Sequence, residues 1–259
     1  MRASRASRRW FGMVAILIAA GGCTNLPPPR ELSVTTDYPI AAWASVLERF
    51  VDVRGQVDFG RLAHDRADLD RYVAWIYANG PQHQPSRFAT PSAVLAYHLN
   101  AYNALAMYQV LAAGIPKSLE GASKIRFFLL THVRIDGEPW SLYSYENDVI
   151  RALGEPRVHF ALNCMAVSCP RLPRAPFDGA RLETQLETAA KEFFNEARNV
   201  HLDHESRTVY LSAILDFYPQ DFLAVAPSLI AYVNRYREDP IPAQYRLAYV
   251  PYSWTVNRQ

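Results

Sequence analysis

Apolar residues recur at helical spacing over residues 40–54 and again over 66–79, where Leu69, Tyr72, Val73 and Ile76 fall on one face and Gly80-Pro81 ends the run. A third stretch carries no charge from Pro91 to Gly114. Thr90 is placed to cap it, Pro91 suits the first helical position and Gly114 marks its stop, so the pattern predicts a long helix buried on most sides. Polar His98, Asn100, Asn103 and Gln109 argue against a membrane span, since each would need a partner in hydrocarbon.

Beyond that helix, His132–Ile135 and Trp140–Leu142 alternate around Asp136-Gly137, a hairpin signal. A short helix follows from Ser144 to Leu153 and ends at Gly154. Residues 157–163 form an apolar run leading into the cysteine segment, considered below as an extended stretch, and Asp178 is placed to cap a long helix through Glu196. Val200–Leu202 and Val209–Leu211 pair through a turn at His204-Glu205-Ser206, helical segments fill 213–237, and Tyr249–Val256 reads as a closing strand. The prediction is α+β: one predominantly helical domain over 38–259, with small antiparallel hairpins around a buried central helix.

The beginning of the chain follows another pattern. Residues 1–22 hold Arg2, Arg5, Arg8 and Arg9 without an acid, then an uncharged run from Phe11 to Gly22 that stops at Cys23. Ser7-Arg8-Arg9-Trp10-Phe11 resembles a twin-arginine export signal and Ala20-Gly21-Gly22-Cys23 a lipobox, with Ala20 where Leu is usual. The run is too short to span a bilayer. The expectation is a cleaved signal, an acyl anchor on Cys23, a proline-stiffened tether over 23–37 and a domain on the periplasmic side of a membrane. Thr24 lacks the Asp of an inner-membrane retention signal, which favours the outer membrane.

Loss of the signal takes four of the 27 basic residues and leaves 23 against 25 acidic ones. A near-neutral chain without a basic patch argues against nucleic acid. The partners expected are the membrane, through Cys23, and an envelope peptide, glycan or protein.

Candidate chemistry concentrates in Arg157-Val158-His159-Phe160-Ala161-Leu162-Asn163-Cys164 and Ser168-Cys169-Pro170. Thiol, imidazole and amide are the side chains of a cysteine hydrolase: Cys164 as nucleophile, His159 as base, and Asn163 or Asn103 as orienter. In an extended run His159 and Asn163 share one face and Cys164 begins the other, so contact between His159 and Cys164 needs a turn at Asn163. Two other readings of the cysteines stand beside this one. A Cys164–Cys169 disulfide suits an oxidising compartment. Structural zinc on His159, Cys164 and Cys169 has a permissible spacing but no clean fourth ligand nearby, and no other cofactor is indicated.

Asn100 and Asn103 share a helix face, where a buried amide most simply satisfies neighbouring backbone. Glu146 and Asp148 offer carboxylates for acid and base work, or, in the plainer reading, Glu146 pairs with Arg151. His132, His201 and His204 read as surface or edge residues.

Together Asn100-Ala101-Tyr102-Asn103-Ala104, the two cysteine segments and Tyr252-Ser253-Trp254-Thr255-Val256-Asn257 resemble the domain of unknown function 547 family, over about Trp43 to Asn257. The resemblance implies no established reaction. It implies motif positions at Asn100, Asn103, Glu146, Arg157, His159, Asn163, Cys164 and Cys169, in a family found in bacterial envelopes and in plants. Asn147 stands where relatives often carry His, and Ser253 where Asp often precedes the Trp. The function expected is a thiol-dependent hydrolase or acyltransferase on an envelope peptide or ester. The alternative is a non-catalytic envelope binding module stapled by a disulfide.

Overall fold

The computed structural model describes residues 23–29 and 37–259. The expected signal, 1–22, and residues 30–36 of the expected tether lie outside them. Helix α1 (Ile40–Phe50) buries Trp43, Val46, Leu47 and Phe50. It ends four residues earlier than expected because Val51 turns extended and bridges Val57 across a bend whose Gly55 has φ 77°. Asp58 caps α2 (Phe59–His64), accepting the Arg61 N–H at 2.9 Å. Helix α3 (Ala67–Ala78) buries the predicted stripe of Leu69, Tyr72, Val73 and Ile76.

The central helix α4 (Pro91–Ala112) has the expected start: Thr90 Oγ1 accepts the Ala93 N–H at 3.1 Å. Such a cap contributes about 1 kcal/mol. From Leu95 to Val110 nearly every α4 residue is buried, so α4 is the post on which the first core is built. No helix among the described residues is long and apolar enough to cross a membrane.

After α5 (Ala122–Ile125) and a π-helical turn over Arg126–Leu130, strands β2 (Thr131–Ile135) and β3 (Glu138–Ser141) pair antiparallel. Their Asp136-Gly137 turn has φ of 54° and 84°, the left-handed pair that a two-residue hairpin requires. Strand β1 (Thr24–Asn25) adds to β2 in parallel, and Leu26 N–H donates to His132 O at 2.8 Å. The hydroxyls of Tyr77 and Tyr108 donate to Leu26 O and Pro27 O. The described part of the expected tether therefore lies on the domain, with Cys23 exposed beside it.

Helical residues 142–153 change pitch: α6 (Leu142–Ser144), a π turn over Tyr145–Ile150, then a 3-10 turn over Arg151–Leu153 that stops at Gly154, φ 76°. Two expectations are corrected next. Residues 156–160 form a 3-10 helix rather than extended chain, because Pro156 opens a helical turn and Glu155 caps it by accepting the Arg157 N–H. Helix α7 (Leu182–Asn195) starts after Arg181, since the Asp178 carboxylate is used on Ala180 N–H and Arg181.

The second hairpin, β4 (Val200–Asp203) with β5 (Thr208–Ser212), is antiparallel as expected. Short helices α8 (Ile214–Phe217), α9 (Pro219–Leu223) and α10 (Leu229–Val233) follow. The closing strand β6 (Arg246–Val250) lies earlier than expected and pairs with β5 in parallel. Each three-stranded sheet thus holds one parallel pair that adjacent hairpins did not announce. The fold is a single α+β domain with two apolar clusters, one around α1, α3 and α4 and one around α7, β4–β6 and α8–α10. Phe160 belongs to the second, with ring centroids 4.9 Å from Phe193 and 4.7 Å from Phe194, while its near neighbours Val158 and Leu162 belong to the first.

Within the first cluster, His98 Nδ1 meets the Tyr145 hydroxyl at 2.6 Å. Burial depresses the imidazole to about 4, against a smaller opposing pull from Asp136. The depressed group takes a proton more readily when unfolded, so stability present at neutral pH is lost as pH falls from about 6.5 to about 4. The loss attributable to His98 is on the order of 3 kcal/mol. Urea midpoints of native and His98→Gln proteins between pH 7 and 4 check this: the native chain should lose more, and parallel losses would refute it.

Candidate active site

The amides on α4 fix the segment that carries the chemistry. Asn103 Nδ2 donates to Ala161 O at 3.0 Å, and its Oδ1 accepts the Asn163 N–H at 2.7 Å. Asn100 does the same one turn earlier, accepting from Phe177 N–H and Trp43 Nε1 and donating to Phe177 O. Both therefore satisfy backbone, the plainer of the expected roles, and neither touches the imidazole.

Asn163 closes the cysteine loop. Its Nδ2 donates to Pro170 O and its Oδ1 accepts the Met165 N–H, both at 2.7 Å. Between these anchors Met165 adopts φ 66°, a left-handed conformation that costs a non-glycine residue about 1–3 kcal/mol. The C-terminal tail lies along the same loop: Val167 N–H donates to Thr255 O, Asn257 N–H to Met165 O, and Ser253 N–H to Ser168 Oγ. It brings the Tyr252 hydroxyl to 3.2 Å from Cys169 Sγ and 3.6 Å from Cys164 Sγ.

The expected disulfide is absent. Both cysteines are free, with sulfurs 2.7 Å apart against about 2.05 Å for the bond. Here it is Asn163 and the tail that hold the loop closed. Cys169 is buried and accepts the Cys164 N–H at 3.1 Å, whereas Cys164 is half-buried. Burial raises the Cys169 thiol, but hydrogen bonds from Cys164, Tyr252 and backbone N–H groups outweigh it and set it below the ordinary range. Cys164 is pushed well up, first by its hydrogen bond to Cys169 and then by burial.

His159 reaches the site from the 3-10 turn with its ring stacked on Tyr218 at 4.3 Å. Its Nε2 lies 2.8 Å from Asp221 Oδ2 on α9. Arg151 grips both oxygens of the same carboxylate, at 2.7 and 2.8 Å. Burial raises the Asp221 carboxyl, but His159 and Arg151 overcome it and hold it at about 2. With Nε2–H given to this carboxylate, the neutral ring keeps its acceptor lone pair on Nδ1.

His159, Cys164, Cys169 and Glu146 line one cavity of about 40 Å³ with Tyr102 and Tyr252. Glu146 accepts the Tyr102 hydroxyl at 3.0 Å and is also bonded by Tyr218. It does not pair with Arg151, which is turned to Asp221 and Asn147. Arg157 lies outside, held by Glu155 and Glu183. Neither Asn147 nor Ser253, the two departures from the family pattern, lines the cavity. Beside it, the Lys124 ammonium sits 3.8 Å over the Trp254 ring and is lowered to about 8 by burial, partly offset by Cys164. A larger cavity of about 340 Å³ along α7 is lined by neither cysteine nor histidine.

The structure brings the candidates Cys164, His159 and Glu146 to one cavity and leaves Asn103 and Asn163, the expected orienters, one layer behind it. Asp221, Tyr218 and Tyr252 were missed as site residues. Asp221 follows Pro219 in the first turn of a helix, where an acid reads as an ordinary helix-start residue. Among the described residues no group of three or more His, Cys, Asp and Glu is placed to hold a metal ion, so His159, Cys164 and Cys169 do not form the zinc set considered above.

The chain is similar over residues 86–194 to the family described as "Protein of unknown function, DUF547". That segment includes α4, Glu146, His159 and both cysteines; Asp221 and Tyr252 lie beyond it. No curated protein and no solved structure matches the chain.

Proposed function

We propose that the cavity is a thiol-dependent acyl-transfer site, hydrolysing or transferring the acyl group of an envelope peptide or ester. The observation that carries the reading is that His159, on the wall of the cavity that also holds Cys164, is paired to Asp221 behind it. Asp221 fixes the imidazole tautomer, as the third member of a nucleophile–base–orienter set does. Cys164 Sγ attacks the acyl carbonyl while its proton passes to Nδ1 of His159. The leaving group takes that proton, and water or an acceptor then releases the thioester.

A raised Cys164 thiol suits this order of events, because the proton leaves with the attack instead of beforehand. The cavity holds only a few water-sized atoms, so the acyl group enters from the half-buried side of Cys164. The proposal includes the acyl anchor on exposed Cys23, an export signal before it and the outer membrane as location, with the domain seated close to the lipid through β1.

The test uses reduced protein and an activated ester such as a p-nitrophenyl ester, quenched in acid and weighed intact. The native protein should gain one acyl group before steady turnover, His159→Gln should gain it far more slowly, and Cys164→Ala should gain none. An equal gain in folded Cys164→Ala protein would sink the proposal.

A further inference from the structure

The cavity holds a second thiol that acyl transfer does not use, and its placement is specific. Cys169 Sγ is surrounded by the Cys164 N–H at 3.1 Å, the Tyr252 hydroxyl at 3.2 Å and the Cys164 thiol at 2.7 Å. The first two are the donors that a thiolate leaving a broken disulfide needs. Cys164 is the more exposed of the two sulfurs and so the one an incoming thiol reaches. Closing the S–S bond needs less than 1 Å of approach.

We propose that Cys164 and Cys169 also form a thiol–disulfide exchange centre which, once oxidised, takes two electrons from a peptide or protein carrying a pair of cysteines. Exchange begins from the Cys164–Cys169 disulfide. A substrate thiolate attacks Cys164 Sγ, the bond between the two cysteines breaks, and its electron pair leaves on Cys169, held by Tyr252 and the Cys164 N–H. The substrate's second thiolate then attacks the sulfur joined to Cys164. Cys164 leaves as thiolate and takes a proton from water. The substrate ends as a disulfide and the protein as a dithiol. The pair is first charged by the reverse reaction with a disulfide such as oxidised glutathione.

Because the departing Cys169 is stabilised by fixed donors, the reduced form is favoured and the disulfide is an oxidant. Tyr252 carries part of that preference. Loss of one hydrogen bond to a charged acceptor should make the disulfide about tenfold harder to reduce.

The experiment charges the full-length protein with oxidised glutathione, removes the reagent and adds a reduced synthetic peptide with two cysteines. Acid quench, alkylation and intact mass follow both partners. The peptide should become two hydrogens lighter while the protein gains two alkylatable thiols. Cys169→Ser protein cannot close the internal disulfide and should instead carry one glutathione on Cys164 after charging, and Tyr252→Phe should shift the equilibrium toward oxidised protein by about tenfold. Failure of the pair to oxidise would overturn the proposal, as would a disulfide that excess peptide thiol leaves intact, which is the behaviour of a structural staple. No ester is present, so failure here leaves the acyl-transfer reading standing, and loss of acylation leaves the exchange reading standing.

Discussion

Asp221→Asn protein should acylate at Cys164 roughly ten-thousandfold more slowly than the native chain, the scale seen when the carboxylate of a nucleophile–base–orienter set is lost. The native carboxylate accepts from Nε2 of His159, so Nδ1 is the basic nitrogen. An amide can turn its own NH2 toward the ring, favouring the opposite tautomer and leaving Nδ1 with the proton. Asp221 acts through His159, which makes it a positioning residue. The pH profile of acylation separates this role from a general loss of structure: the native rate should hold into a pH range where the variant's, left to thiol ionisation alone, has fallen away. Arg151 also loses a charged partner in this variant, so the urea midpoint is measured alongside. Equal acylation rates at equal folded fraction would remove Asp221 from the account.

The second large effect is on stability. Asn103→Ala leaves the Ala161 carbonyl and the Asn163 N–H unpaired in the buried interior. Each stranded group costs about 1–3 kcal/mol, so the variant should lose about 4 kcal/mol, a large part of the stability of a domain this size. Equilibrium urea unfolding measures it. A loss below about 1 kcal/mol would mean that the amide is not the clamp. Because Asn163 sits between this clamp and Cys164, the folded fraction of the variant should also acylate slowly, which a purely stabilising amide elsewhere in α4 would not cause.

Much of the architecture was legible because its signals are local. Helix α4 announces its start with Thr90 and Pro91 and its stop with Gly114, and the Asp136-Gly137 turn supplies the left-handed residues of a hairpin. The errors have equally local causes. The stretch 157–163, with Val158, Phe160, Ala161 and Leu162 apolar, fits a strand or a buried helical turn, and Pro156 decides for the turn. The parallel pairings of β1 with β2 and β5 with β6 join segments distant in sequence, and no turn residue marks them.

The site divides in the same way. Cys164, His159 and Glu146 were found because they stand in compact motifs rich in chemical side chains. Asp221 reaches His159, and Tyr252 the cavity, only after the chain has folded back twice, once through α9 and once along the cysteine loop. The expected disulfide rested on the compartment, which says how two thiols behave when they meet. The structure shows free thiols held at contact by Asn163 and the tail.

The central claim is that Cys164 is the nucleophile of this cavity. Its most direct measurement is the position of the acyl group after a short reaction of reduced native protein with the activated ester, read by peptide mapping at acidic pH. The account predicts an acyl group on Cys164, with Cys169 unmodified and the signal much reduced in His159→Gln. An acyl group on Cys169 with Cys164 free, or labelling of Cys164 at the same rate without His159, would contradict it.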